Sequence, residues 1–221
     1  VEVDDDPAFT TINYTATVPG GTTSHAVATS LSLTNQYYWR VRARNSCGEV
    51  ASATFSFTTG ALTCTVYTST DVPRSIGPGS GVITNSVLNV VGSAPGVADL
   101  DVLGLVGTHT FVADLDFELV GPALPARRLF GDVCGSSDNF NLNLDDAAAT
   151  TVGAGTSCPI TGGQTLRPEN PLAFFNGIDP NGTWTLRITD DAAGDGGSLT
   201  GWGLRICTAG GTPPVVASDE S

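Results

Sequence analysis

Apolar and polar residues alternate with a period of two along most of this chain. The runs "TFSFTT" at 54–59 and "TWTLRI" at 183–188 are clear examples, and Thr, Val, Ser and Gly are abundant. This period is typical of β-strands with one buried face, and almost no stretch has the period of a helix. Many short strands between turn residues predict β-sandwiches or jelly rolls, so the predicted fold class is all-β.

Two alternating runs lie close together near the C-terminus, separated by a glycine- and aspartate-rich break. Their apolar positions are Trp184, Leu186 and Ile188 in the first run and Trp202, Leu204 and Ile206 in the second. Apolar stripes that face each other in this way fill the core of a sandwich. The pattern predicts a hairpin with both tryptophans in the core.

Two runs of similar sequence form an internal repeat and lie close together in the middle of the chain. The run "VADLDVLGLVG" begins at Val97, and "VADLDFELVGP" begins at Val112. In both runs the leucines alternate with the aspartates, so the aspartates share one face. Alternation of this kind predicts two neighbouring antiparallel strands with one face in solvent.

The charge of the chain limits its partners. Twenty-two acidic residues stand against 9 basic ones, all arginine, for a net charge of −13. Clustered positive charge is needed to bind phosphate, so this surface should repel nucleic acid and anionic lipid, and neither is expected as a partner. No apolar run approaches the roughly 20 residues of a membrane span. Since the chain opens on a strand-like run, we interpret it as a mature piece of a longer secreted or cell-surface protein.

A domain boundary is predicted near "TTGALTC", Thr58 to Cys64. Before it, "NQYYWRVRARNSCGEVASATFSFTTG" predicts a strand, a loop and a returning strand. Residues 1–60 resemble the later strands of a fibronectin type III domain, and the first two strands of that sandwich are missing. They lie upstream of Val1, or another chain supplies them. Residues 209–221 are predicted to be a tail or linker.

Residues 61–208 carry a second resemblance. The motifs "DNFNLNLDDAA", "PENPLAFFNGIDPNGTWTLRITD" and "GDGGSLTGWGLRIC" follow in order. Together they resemble the P domain, or proprotein convertase homology domain. That domain follows the catalytic domain of kexin- and furin-like proteases and ends many secreted bacterial proteases. The resemblance implies a jelly-roll β-sandwich.

The aspartates of this segment have two interpretations. They cap turns by accepting hydrogen bonds from backbone N–H groups, or they bind Ca²⁺, which takes 6–8 oxygen ligands from irregular loops. The resemblance favours calcium, because P-domain-like jelly rolls of bacterial proteases can carry it. The candidate ligands are Asp138, Asp145 and Asp146 in the first loop, and Asp190 and Asp195 in a second loop.

Catalysis by this chain is not expected. Its two histidines, His25 and His109, have no nucleophile motif beside them, and neither GxSxG nor HExxH is present. The resemblance therefore implies a non-catalytic accessory region of a secreted serine or metallo-endopeptidase, with the catalytic domain as its partner.

Two other functions remain open. The first is an adhesive or fibre-forming protein in which neighbouring copies of the same sandwich supply the missing strands. The second is a carbohydrate-binding jelly roll that would use Tyr37, Tyr38 or Trp39 as an exposed platform.

Five cysteines are present without any CxxC motif. Cys64 precedes the first strand of the predicted jelly roll and Cys207 ends the last, and domain termini often lie close together. We therefore expect Cys64 to pair with Cys207. Cys134 and Cys158 flank the insertion "GSSDNFNLNLDDAAATTVGAGTS" and form the second predicted pair. Cys47 is predicted to be free or to pair with a cysteine upstream of Val1.

Overall fold

The computed structural model describes residues 1–29, 31–155 and 157–209, and its regular elements are strands apart from two short 3-10 helices. The predicted all-β class is confirmed. Contacts divide the chain into an N-terminal unit, Val1–Leu62, and a C-terminal unit that begins at Thr63 and includes Ala209. Beyond Ala209, the predicted tail lies outside the described residues. No helix in the described ranges is long and apolar enough to cross a membrane.

The N-terminal unit contains one four-stranded antiparallel sheet and a separate hairpin. The sheet has the order β2-β1-β3-β6, and β4 pairs with β5. The strands are β1 Glu2–Asp4, β2 Tyr14–Thr15, β3 Gln36–Arg40, β4 Arg42–Asn45, β5 Gly48–Ala51 and β6 Phe55–Thr58.

The single sheet of this unit buries few apolar side chains. Tyr37 is 3% exposed and stacks on Phe57, while Trp39 stacks on Phe55, which stays 49% exposed. Arg40 pairs with Glu2 across β3 and β1 at 2.7 Å. One sheet without a second layer leaves part of its apolar face uncovered.

The C-terminal unit contains two sheets. The larger has the order β14-β13-β10-β16-β7, with β8 also paired to β16, and the smaller has the order β12-β11-β15-β9. The strands are β7 Leu62–Thr68, β8 Arg74–Ile76, β9 Val82–Val90, β10 Val97–His109, β11 Leu115–Val120, β12 Arg127–Gly131, β13 Phe140–Leu144, β14 Gln164–Leu166, β15 Gly182–Asp190 and β16 Gly197–Ala209. The 3-10 helices span Val112–Asp114 and Leu172–Phe175.

The two tryptophans lie in the core, as the alternation predicts. Trp184 is 0% exposed and Trp202 is 1% exposed. Each indole N–H is satisfied, since Trp184 donates to the Pro180 carbonyl and Trp202 to the Ser86 hydroxyl, both at 2.9 Å. A buried tryptophan needs such an acceptor.

The predicted hairpin is wrong. β15 pairs with β9 and β11, whereas β16 pairs with β10, β8 and β7. The two runs belong to different sheets, and their apolar stripes join one buried cluster. The break between them is a connection that crosses from one sheet to the other, so proximity in sequence did not produce pairing.

The two copies of the repeat are predicted to be neighbouring strands, and this prediction is also wrong. The first copy lies in β10 of the larger sheet, and the second contributes a 3-10 helix followed by β11 of the smaller sheet. The two strands are therefore not neighbours. Alternation reports which residues face the core, but it does not report which strands pair.

Two disulfides join Cys64 to Cys207 and Cys134 to Cys158, the same pairs that the sequence predicts. The first links the neighbouring strands β7 and β16, near the two ends of the C-terminal unit. Cys47 is free and exposed. Two disulfides are typical of proteins that fold in an oxidising compartment.

Candidate functional site

The first predicted calcium loop supplies caps for the backbone. Asp145 accepts a hydrogen bond from the Ala147 N–H at 2.7 Å through Oδ1. Asp146 accepts from the N–H groups of Leu172 and Ala173, both at 2.8 Å, at the start of the second 3-10 helix. Asp138 is exposed in the loop before β13. These contacts support the capping interpretation for Asp145 and Asp146.

The second predicted loop belongs to an acidic cluster at the end of β15. Asp190 is 0% exposed because it continues the inward row of Trp184, Leu186 and Ile188. Its Oδ2 lies 3.6 Å from Nε2 of the buried His109, and neither of its oxygens accepts a hydrogen bond in the described structure. A buried carboxylate that accepts no hydrogen bond is costly unless a positive charge lies beside it.

Other groups surround this carboxylate. Asp195 accepts a hydrogen bond from the Thr110 hydroxyl at 2.5 Å. Burial raises the pKa of Asp114, and the nearby carboxylates of Asp195 and Asp190 raise it further. Gly77 has φ +56°, and a Cβ there would lie 2.0 Å from Asp190 Oδ2, so only glycine fits.

His109 is held in place rather than exposed to solvent. It is 1% exposed, and its Nδ1 lies 2.8 Å from the Phe111 carbonyl oxygen. His25 is exposed in the N-terminal unit, with its Nε2 2.7 Å from the Tyr14 hydroxyl. The contacts of His109 are those of a structural residue, since a base that acts on a substrate must reach it.

A third carboxylate group lies on the larger sheet and was not singled out from the sequence. Asp101 is 3% exposed, and the Arg205 Nε donates to its Oδ2 at 2.5 Å. Burial raises the pKa of Asp101 to about 6; Asp99 adds to the shift, Arg205 opposes it, and Asp145 also raises it. The repeat predicts that this aspartate faces solvent, and this prediction is wrong. The burial of Asp101 could not be predicted from the sequence, because alternation does not reveal what covers a face of a sheet.

The N-terminal unit contains an apolar cavity of about 490 Å³. Its walls include Val3, Val27, Trp39, Val41 and Phe57, with His25 at one side. Tyr37 is buried, and Tyr38 points to the opposite face of β3 from Trp39, as the pleat of a strand requires. The three aromatic side chains therefore do not share one exposed platform for a carbohydrate.

Across the described residues, no group of three or more His, Cys, Asp or Glu side chains is arranged to hold a metal ion. A cation bound here would need carbonyl, hydroxyl or water oxygens in addition to carboxylates, as Ca²⁺ accepts. The calcium prediction for Asp138, Asp145, Asp146, Asp190 and Asp195 stays a prediction.

Comparison with known families gives one match. Residues 170–206 match the model of the proprotein convertase P-domain. The match covers the second 3-10 helix, β15 and most of β16, which hold Trp184 and Trp202. It supports the P-domain resemblance of the C-terminal unit over less than half of the chain, and the fibronectin type III resemblance stays a prediction.

Two solved structures are similar at low identity. One is a serine protease of Aeromonas sobria in complex with a chaperone, 16% identical over 78% of this chain and 36% of that chain, with a TM-score of 0.44. The other is the serine protease of Aeromonas sobria, 18% identical over 76% of this chain and 36% of that chain, with a TM-score of 0.43. The chain thus spans about a third of their length. No curated protein matches this chain.

Proposed function

We propose that this chain is a non-catalytic accessory region of a secreted bacterial protease, and that its C-terminal unit stabilises the catalytic domain or assists secretion or substrate attachment. The observation that carries this proposal is the P-domain match over residues 170–206. A protease of the serine class is one candidate parent, and a metallo-endopeptidase is another.

The architecture of the C-terminal unit suits an accessory role. Its two sheets share one core, and a disulfide ties β7 to β16 near its ends. Such a module can hold its shape outside the cell without help from a partner. The partner of this module in the proposal is the catalytic domain of the full-length protease to which this chain belongs.

The proposal is tested on the full-length gene product, with and without residues 63–209. Deletion should shorten the half-life of the secreted protease at elevated temperature or reduce its secretion, and leave kcat/KM on a short peptide unchanged. A full-length product without peptidase activity would contradict the proposal.

The isolated chain provides a second readout. It should have no peptidase or glycosidase activity, because His109 is buried and neither histidine has a nucleophile motif in the sequence. Activity that persisted through purification and disappeared in His25→Ala or His109→Ala would assign catalysis to this chain and overturn the accessory role.

Calcium is the cofactor that we propose for the C-terminal unit in this role, with the Asp190–Asp195 loop as the better supported of the two predicted sites. The support is the pair of unpartnered, fully buried oxygens of Asp190 beside Asp114 and Asp195. A cation there would remove the cost of these like charges.

A second candidate function is a fibre-forming or adhesive surface protein. The observation that favours it is the 490 Å³ apolar cavity and the exposed Phe55 and Val41 of the N-terminal unit. Strands from a neighbouring copy could cover this face. Sedimentation velocity separates the two functions, because this alternative requires oligomers that grow with concentration, whereas the accessory role does not.

A further inference from the structure

Arg127 lies at the first position of β12, on the row of that strand that faces the core. Its register partner in β11 is Leu119, which is 0% exposed. Partners in an antiparallel pair project from the same face of a sheet, so the stem of Arg127 starts among the apolar side chains of the core. Arginine often lays its aliphatic stem on apolar surface while its charged end reaches toward water. Packing along the stem therefore sets the position of the guanidinium.

The guanidinium of Arg127 lies over an aromatic ring. Its Cζ is 4.9 Å from the centre of the Phe174 ring. Phe174 meets the fully buried Phe175 edge-on, with 5.2 Å between the ring centres, and Phe175 contacts Trp184 in turn. The Phe174 ring is thus anchored to the core, yet it is 38% exposed. A guanidinium held against an aromatic face has its donors fixed in one plane, which suits a planar acceptor.

Arg127 has no carboxylate partner among the described residues. Its Nε is buried without a hydrogen-bond partner, and the residue as a whole is partly exposed, so the Nη groups are the donors that a ligand can reach. The other arginines of this unit have partners: Arg74, Arg128, Arg187 and Arg205 pair with carboxylates, and Arg167 bonds to the Thr151 hydroxyl. An unpaired guanidinium is unexpected in a chain with 22 acidic and 9 basic residues.

The carboxylates nearest in the fold are engaged by other donors. Asp146 accepts the N–H groups of Leu172 and Ala173, at the start of the 3-10 helix that carries the exposed ring. Glu169 pairs with Arg128 at 3.2 Å. Neither carboxylate is free to pair with the neighbouring guanidinium. The acceptor for this guanidinium must therefore come from another molecule.

We infer that Arg127 and Phe174 form a docking site for an acidic peptide segment of a partner protein. A glutamate or aspartate side chain of the partner binds the guanidinium, and an apolar side chain next to it packs on the exposed rim of the ring. Charge complementarity selects the carboxylate, because its two oxygens accept two parallel N–H groups of a guanidinium. Arginine and aromatic residues are frequent anchors of protein interfaces. The inference does not depend on the accessory role.

An acidic polysaccharide offers the same carboxylate but fits this ring less well. A sugar packs flat on an open aromatic face, whereas the guanidinium covers one face of Phe174 and Phe175 meets its edge. A peptide side chain needs only the exposed rim. The net charge of −13 does not prevent the binding of an acidic peptide, since charges more than about 8 Å away are largely screened at physiological salt.

The test is a titration of the isotope-labelled full chain by nuclear magnetic resonance at neutral pH. All 9 basic residues are arginine, so the arginine Nε–H region of the spectrum is simple. The probe is the capped peptide acetyl-GLEELG-amide, and its neutral counterpart is acetyl-GLQQLG-amide. The Arg127 signal is identified as the one that Arg127→Lys removes.

Three further variants separate the parts of the site. Arg127→Gln removes the charge, and Phe174→Ala removes the ring. The matched control is Arg167→Gln, because Arg167 is an exposed arginine of the same unit that bonds to a hydroxyl rather than to a carboxylate. An oligogalacturonate titrated into the wild type provides the polysaccharide comparison.

We expect the acidic peptide to shift the Arg127 signal of the wild type with a Kd on the order of 10⁻³ M. Arg167→Gln should bind equally well. Arg127→Gln should weaken binding by about tenfold or more, as loss of a hydrogen bond to a charged group does. Phe174→Ala should weaken it by about threefold.

Four results would overturn the inference. They are an Arg127 signal that does not move, equal binding of the neutral peptide, binding that survives in Arg127→Gln, and tighter binding of the oligogalacturonate, which would assign the site to an acidic polysaccharide. The wild-type signal and Phe174→Ala decide the question even if Arg127→Gln does not fold.

Discussion

The two units of this chain share the same alternating pattern but differ in how that pattern is used. Among the described residues of the N-terminal unit, the buried apolar side chains are Val3, Phe9 and Tyr37. The C-terminal unit instead buries a continuous cluster that extends through both of its sheets. A sheet with one apolar face becomes a core only when a second layer covers it.

The difference teaches that strand patterning alone does not measure stability. β3 and β15 each carry a tryptophan within an alternating run, Trp39 in β3 and Trp184 in β15. Trp184 of β15 is fully enclosed against Phe175, whereas Trp39 of β3 lines an open apolar cavity. The same sequence signal thus marks a finished core in one unit and an uncovered face in the other.

The largest expected effect comes from the disulfides, which occur only in the C-terminal unit among the described residues. Cys64 and Cys207 are separated by 143 residues. Replacing both by serine should destabilise that unit by about 5 kcal/mol in the chain-entropy model, and loss of the Cys134–Cys158 link by about 3 kcal/mol. Calorimetry of the full chain measures both.

Cys47→Ser is the matched control, because Cys47 is free and exposed. This substitution should change the free energy of unfolding of each unit by less than about 0.5 kcal/mol. A large effect of Cys47→Ser, or a small effect of the double replacement, would break the contrast between the units.

The tryptophans provide the second comparison. Trp184→Ala removes a fully buried side chain and a hydrogen bond to Pro180, and should cost about 3–5 kcal/mol. Trp39→Ala should cost about 1 kcal/mol, since one side of that ring faces the cavity. Urea unfolding followed by circular dichroism measures the two free energies, and equal losses would show that the N-terminal sheet is covered in solution.

The two units should respond to acid in opposite directions. Burial raises the pKa of Asp101 to about 6, so the folded state binds a proton more readily than the unfolded chain. In chelator, the C-terminal unit should therefore gain about 1 kcal/mol as the pH falls from about 7 to about 5. Asp101→Asn should remove the part of this gain that Asp101 supplies, while Asp114 and Asp116, whose pKa values burial also raises, still contribute with the same sign.

Glu2 of the N-terminal unit has the reverse sign. Burial raises its pKa, but hydrogen bonds from Arg40 and Arg42 outweigh burial and hold it below 4.5. Its contribution is present above pH 4.5 and is lost as the pH falls through the folded pKa. Melting curves between pH 7 and pH 3 should show the N-terminal transition falling only below this value, and parallel curves for the two units would contradict the assignment.

The sequence predicts which residues face the core better than it predicts pairing. Alternation placed Trp184 and Trp202 inside, and cysteine positions predicted both disulfides. The hairpin and the paired repeat failed because strands of one alternating pattern can pair within a sheet or face each other across a core. The register that pairs Val102 of β10 with Leu144 of β13 joins two strands that are distant in the sequence, and no local pattern encodes that register.

The smallest expected effect concerns the surface ion pairs of the hairpin β4–β5. Glu49 pairs with Arg42 and with Arg44, whose side chain is 70% exposed. Exposed pairs contribute little, because water screens them and two long side chains lose rotamer freedom. Glu49→Ala should therefore change the free energy of unfolding by less than about 1 kcal/mol, measured by urea denaturation at low and high salt. A loss clearly greater than that of Trp39→Ala would show that this hairpin, rather than the sheet face beside it, determines the stability of the N-terminal unit.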